Sequence, residues 1–225
     1  MAEAVLWERR GEVGWITLNR PERRNALTDE AVGLVAGMLD QAAAEPGLRA
    51  VVLTGAGDKA FCAGGDLKPA EGGTFDHDFS QPSTAAGDLF RRVRRFRLPL
   101  VARVNGHCLA GGMGLLAMCD LAVAADTALF GLPEVKVGVF PMQVLSVLQH
   151  LVPRRVLTEL CLTGELISAA EAKAIGLLNH VVPPAELDAR TDWLLARLVD
   201  KSPTAQRRGK FAMRAAEEMG FEQAI

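Results

Sequence analysis

The chain has no tyrosine, and aromatic residues make up only 5% of its 225 residues. No phenol is therefore present to act as an acid. The four cysteines, Cys62, Cys108, Cys119 and Cys161, show no C-x-x-C spacing, and each lies among apolar neighbours, so they read as reduced, buried small hydrophobes. The four histidines, His77, His107, His150 and His180, are dispersed and form no H-E-x-x-H pair, so no metal site is expected. The formal net charge is only −2, and no global field favours nucleic acid. An anionic ligand would need local basic residues. The longest apolar run, Cys108 to Cys119, is too short to cross a membrane. The first residues carry early acids and no apolar core of a secretion signal, which suits a cytoplasmic protein.

Hydrophobic residues at 49% and charged residues at 23% fit one soluble domain with a full core. Val13–Asn19 reads as a strand. Thr28 caps a predicted helix that runs to about Glu45 and stops at Pro46-Gly47. Ala50–Thr54 is a short buried strand, and residues 69–83 read as a mobile polar loop. A basic helix from about Thr84 to Arg97 precedes strands at Leu98–Asn105 and Asp120–Asp126. Helical segments follow near 142–150, 153–161, 168–175, 184–199 and 203–219. Strands alternating with helices, then helices alone, predict an α/β core with a helical tail.

Two glycine turns carry the chemistry. Gly55-Ala-Gly57-Asp-Lys-Ala60 matches a dinucleotide fingerprint as text, but the loop continues where that motif needs a helix. A loop that binds something through its backbone is therefore preferred to a plain surface loop, and both are preferred to a nicotinamide oxidoreductase site. Gly64-Gly65-Asp66-Leu67 looks like a helix start, with Asp66 as N-cap and the Gly65 amide facing a ligand. Ala110-Gly111-Gly112-Met113-Gly114 opens an apolar helix. Each helical glycine costs roughly 1 kcal/mol against alanine, so the cluster serves tight packing, close approach of a ligand, or both. Two such amides converging on one oxygen would form an oxyanion hole, suited to a thioester enolate. Glu134 stands among apolar residues in Phe130–Val135. It is either an exposed loop glutamate or a carboxyl whose pKa is raised for proton transfer. Arg23, Arg24, Lys59 and Lys68 flank the turns as solvated charges or as phosphate contacts.

Arg23–Leu27, Ala60–Leu67, Asn105-Gly106, Gly111-Gly112, Cys119-Asp120, Phe130–Glu134, Leu162–Glu165 and Ala169–Leu177 occur in an ordered set. That set resembles the enoyl-CoA hydratase/isomerase (crotonase) family over nearly the whole chain. The resemblance implies an α/β fold, a crotonase-like ββα spiral over about residues 1–195. A C-terminal helical region then begins within about residues 196–225, all in one domain. It implies a homotrimer or hexamer and an acyl-CoA thioester substrate, with coenzyme A as part of the substrate and no separate cofactor or metal. Gly65 and Gly111 become the oxyanion donors and Glu134 the acid/base. Arg24, Ala26, Cys62, Ala63, Gly64, Asp66, Leu67 and Lys68 become the coenzyme A contacts.

Two departures stand out. Hydratases of this kind carry a second glutamate at the position of Gly114, and two carboxylates position the water. One carboxylate suits double-bond isomerisation or slow hydration. An acyl-CoA binding protein with weak or lost catalysis is the alternative. Relatives also continue past the position of Ile225.

Overall fold

The computed structural model describes residues 3–66 and 84–225. A hairpin of β1 (Val5–Arg10) and β2 (Val13–Leu18) opens the chain. Helix α1 (Asp29–Ala44) starts where the sequence places it, with the Thr28 hydroxyl accepting from the Ala31 amide. Strands β3 (Ala50–Gly55) and β4 (Ala60–Cys62) follow. Helix α2 (Ala85–Arg95) is capped by Thr84. The middle of the chain comprises β5 (Leu100–Val104), β6 (His107–Leu109), α3 (Gly111–Ala117), β7 (Leu121–Ala125) and β8 (Leu129–Gly131). Next come α4 (Met142–Leu148), α5 (Arg154–Thr163), β9 (Leu166–Ser168), α6 (Ala169–Ala174) and β10 (His180–Val182). Helices α7 (Leu187–Val199), α8 (Pro203–Ala216) and α9 (Phe221–Ala224) end it.

These strands form two sheets. The first has the order β1-β2-β3-β5-β7-β10 and is parallel beyond the β1–β2 hairpin. Alternate residues of each strand face opposite sides. Val51, Leu53, Leu100, Ala102 and Ala124 join the main core, whereas Val52, Val101, Val123 and Ala125 pack with Leu187, Leu194 and Leu195 of α7. Burial on both faces makes these strands nearly continuous apolar runs.

The second sheet has the order β4-β6-β8-β9, and each of its strands has three residues. β4, β6 and β8 are mutually parallel, and β9 is antiparallel to β8. Sequence patterning does not reveal these strands, because three residues are too few to show a period.

Helix α8 is tied to the body through Asp120. Buried Lys210 donates to the Leu98 carbonyl at 2.7 Å and to Asp120 at 2.6 Å, and Arg214 donates to the other Asp120 oxygen at 2.9 Å. Burial pushes the Lys210 pKa down, and the Asp120 charge opposes that shift. Among the described residues, no helix is long and apolar enough to cross a membrane.

Candidate active site

The parallel strands β4, β6 and β8 lie side by side, so their carboxyl ends share one edge. Gly65 follows β4, Gly111 follows β6 and Glu134 follows β8, each within a few residues of its strand. Three positions far apart in sequence thus leave the same edge, the usual place for a ligand in parallel sheets.

The first turn is braced by the segment beside it. A 3₁₀ turn at Pro21–Arg23 leads into Arg24 (φ 52°) and Asn25 (φ 55°), both left-handed. The chain then runs parallel to residues 63–66. Ala63 N–H donates to the Arg24 carbonyl at 3.0 Å, Leu27 N–H to Gly64 at 2.7 Å, and Asp66 N–H to Leu27 at 2.8 Å. Gly64 C=O and Asp66 N–H therefore face Leu27, and the Gly65 amide between them points away from Leu27. It has no hydrogen-bond partner among the described residues.

Two buried asparagines hold the approach to β4. The Asn25 side-chain amide donates to the Ala56 and Ala60 carbonyls at 3.0 and 2.8 Å, while its oxygen accepts from the Arg20 amide. Asn105 donates to the Gly57 carbonyl at 2.7 Å and accepts from the Gly55 amide at 3.1 Å. The chain between them enters β4 rather than a helix, so the Gly55-x-Gly57 pattern lacks the helix that a dinucleotide site requires. Neither asparagine carries a motif in the sequence that would assign it this bracing role. Their place beside the turns was the available signal.

Asp66 is engaged by two arginines, Arg20 at 2.9 Å and Arg23 at 2.8 Å. Arg20 also donates to the Ala26 carbonyl. Arg23 is thereby an ion-pair partner rather than a solvated charge. Arg24 and Lys59 are exposed and form no ion pair among the described residues. Leu67 and Lys68 lie outside the described residues, as do the helix expected at residue 67 and the loop at 69–83.

The second turn explains the glycine cluster residue by residue. Ala110 adopts φ 51°, ψ −123°, a conformation that costs about 1–3 kcal/mol and needs support from its surroundings. Gly64 (φ +98°) gives that support, since a Cβ there would stand 2.5 Å from the Ala110 methyl. Gly112 packs on β4: a Cβ would meet the Cys62 carbonyl oxygen, and would lie 2.9 Å from its Cβ. Gly111 is different. A Cβ there would make only ordinary contacts of 3.5–3.7 Å, with Leu27, Gly64 and the Gly65 nitrogen. Its amide lies in the first turn of α3 and has no partner among the described residues. The two glycine turns therefore adjoin, Gly112 closing the seam and Gly111 leaving its amide open.

Glu134 sits in the 3₁₀ turn Pro133–Val137, which Gly138 ends in the left-handed region. Its Oε2 is buried and has no hydrogen-bond partner among the described residues. Desolvation raises its pKa above the ordinary 4.5. The solvated-loop reading is thus set aside, and an unpartnered carboxylate oxygen is left for a proton-transfer role.

Gly114 lies one turn beyond Gly111. A Cβ there would be 2.7 Å from Phe90 Cζ and 3.4 Å from Val144 Cγ2. The space for a side chain at 114 is already filled by an aromatic ring from α2. No cysteine offers a reactive thiolate in its place: burial pushes the Cys62 thiol up to about 12, and Cys108 and Cys161 upward as well. Among the described residues no cluster of His, Cys, Asp and Glu could hold a metal ion.

The chain is similar to known proteins over nearly its whole length. The sequence profile of the family described as Enoyl-CoA hydratase/isomerase matches residues 8–225. A Thermus thermophilus relative, carrying the provisional name of enoyl-CoA hydratase, is 40% identical over 95% of this chain and 85% of its own length. Among solved structures, an enoyl-CoA hydratase of Mycobacterium smegmatis superposes with a TM-score of 0.90 at 34% identity, covering 99% of this chain and 87% of that one. Human enoyl Coenzyme A hydratase domain-containing protein 3 gives 0.92 at 30% identity, with the same shares covered.

Proposed function

The chain belongs to the enoyl-CoA hydratase/isomerase (crotonase) family and has its α/β fold, and on that premise we propose that it moves a proton on an enoyl-CoA thioester. The observation that carries this reading is the shared edge of β4, β6 and β8. It carries the open amides of Gly65 and Gly111 and, just past β8, Glu134, whose Oε2 has no partner among the described residues. In this reading the thioester oxygen accepts hydrogen bonds from Gly65 and Gly111. Coenzyme A touches Arg24, Ala26, Cys62, Ala63, Gly64 and Asp66, with its adenine end near 62–68; Leu67 and Lys68, expected to join them, lie outside the described residues. Exposed Arg24 is a cation available for phosphate.

For a 3-enoyl thioester the Glu134 carboxylate takes a proton from C2. The electron pair moves toward the carbonyl, and the negative charge that develops on oxygen is held by the two amides. Protonated Glu134 then returns the proton to C4 as the double bond settles between C2 and C3. Atoms and charge balance, and no cofactor is consumed. Each hole donor is worth about 3–4 kcal/mol to such a transition state. Desolvation suits Glu134 to both halves of the cycle, because a raised pKa narrows the gap between taking and giving a proton.

Double-bond isomerisation is favoured over efficient hydration by Gly114. No second carboxylate stands there to orient water, and Phe90 occupies the space. Binding of acyl-CoA without turnover is the second reading, resting on the same missing carboxylate. Assembly as a homotrimer or hexamer is part of the proposal, supported by exposed Val137 and Leu162 on elements packed together.

Mass-spectrometric product analysis over a panel of 2-enoyl- and 3-enoyl-CoA thioesters, with the double-bond isomers separated chromatographically, tests the proposal. Isomerisation is expected, seen as a 3-enoyl thioester converted to its 2-enoyl isomer at unchanged mass. Gain of one water would make the enzyme a hydratase. Tight binding with neither change would leave only the binding reading.

A further inference from the structure

We propose that Phe90, whose ring fills the space over Gly114, is a specificity-determining residue that stops the acyl chain on the Gly111 side of the ring and shuts it out of a cleft behind it. The inference rests on the acyl-CoA reading above. It goes beyond that reading by naming the residue that selects the substrate.

The cleft, about 780 Å³, lies between α2, α4 and α8 and the end of α3. That size is ordinary for a small-molecule pocket. Its apolar wall includes Phe90, Val93, Ala117, Met118, Val147 and Met213. Gly114 is not part of this wall, although Ala117 and Met118 follow it on the same helix. Phe90 belongs to both places. The end of its ring would stand 2.7 Å from a Cβ at Gly114, and the same side chain lines the cleft.

Helix α3 therefore runs as one wall from the Gly111 amide, past Gly114, to the cleft. Gly114 to Ala117 spans roughly 5 Å along the axis. An acyl chain leaving a thioester held at Gly111 follows that wall and meets Phe90 before it reaches the cleft. Short acyl groups end in front of the ring. Longer ones need the ring to leave. The occupant of the opened space is the distal hydrocarbon of the acyl chain: Phe90, Val147 and Met213 offer it apolar contact, while the lysine and arginine side chains on the otherwise mostly polar wall are paired, Lys210 and Arg214 with Asp120, Arg94 with Glu217 and Glu218, and Arg91 with Asp88.

A pocket contact worth one methylene discriminates by about 10–200-fold. Truncating a whole ring at such a contact is expected to raise the long-to-short ratio of kcat/KM by at least about tenfold. The test compares wild type, Phe90→Ala and Phe90→Leu with short, medium and long enoyl-CoA thioesters, and measures saturated acyl-CoA affinities in parallel. The expected result is a shift toward long chains, largest in Phe90→Ala and smaller in Phe90→Leu, carried mainly by KM and by affinity. A uniform loss across all lengths, or parallel profiles in all three proteins, overturns the partition while leaving the acyl-CoA reading intact. Should Phe90→Ala not fold, Phe90→Leu decides the matter by the same profiles. Failure of wild type to bind or convert any acyl-CoA overturns the parent reading and this inference with it.

Discussion

The two sheets hold their shape by different means. In the first, strands β2, β3, β5 and β7 run five or six residues, and both faces are covered by apolar layers. Its ladder and core hold it without special residues. In the second, each strand has three residues, too short for the ladder alone to fix the edge. The edge is fixed by contacts with no tolerance: Gly112 on Cys62, Gly64 on Ala110, and buried Asn25 and Asn105 on the carbonyls that lead into β4. The candidate site is built on this second sheet. Short strands with dense, specific bracing place backbone amides accurately while leaving their outer side open.

The largest expected effect separates chemistry from scaffold. Glu134→Gln keeps the shape of the side chain and removes the acid/base. Turnover should fall about 10²–10⁴-fold, or roughly 3–5 kcal/mol of transition-state stabilisation, with acyl-CoA affinity preserved and thermal stability no lower than wild type. Steady-state rates beside a binding isotherm check this. Unchanged rates would move the chemistry away from β8.

The bracing is tested next. Asn25→Ala removes the side-chain partner of the part-buried Ala56 carbonyl and Arg20 amide and leaves the Ala60 carbonyl with only the 3.3 Å side-chain bond from Asn105, and should cost about 2 kcal/mol in denaturant unfolding. Gly112→Ala should cost about 2 kcal/mol, because the new methyl meets the Cys62 backbone and cannot move aside. Gly65→Ala, in the adjoining turn, should change stability by less than about 0.5 kcal/mol, since among the described residues nothing lies within 4 Å of the added methyl. If Gly112→Ala proves as mild as Gly65→Ala, the second sheet is not braced as described.

How much of this was legible in the sequence follows from the same division. The long strands and the capped helices were readable, because apolar runs and the Thr28 and Thr84 caps are local signals. The positions of Gly65, Gly111 and Glu134 were readable as motifs. Their common edge was not, since it depends on pairings between three-residue strands separated by tens of residues. The glycine cluster could be given two purposes from sequence, but only contact geometry assigns packing to Gly112 and openness to Gly111. Phe90 gave no signal at all. Its relation to Gly114 joins two helices and exists only in the folded chain.

The smallest expected effect is a pH dependence that again sets Glu134 apart from the scaffold. Desolvation raises its pKa in the folded protein above the ordinary 4.5. Between those two values the folded state keeps a proton that the unfolded chain has released. Stability from this group is therefore complete below about pH 4.5 and is lost as pH rises through the raised pKa. Glu134→Gln has no proton to lose. Wild type and variant should unfold alike in acid, and the variant should become slightly the more stable near neutrality. Parallel stability curves from acid to neutral pH would mean that the carboxylate is well solvated. The single-carboxylate mechanism would then lose the raised pKa it uses, while the Gly65 and Gly111 amides would be unaffected.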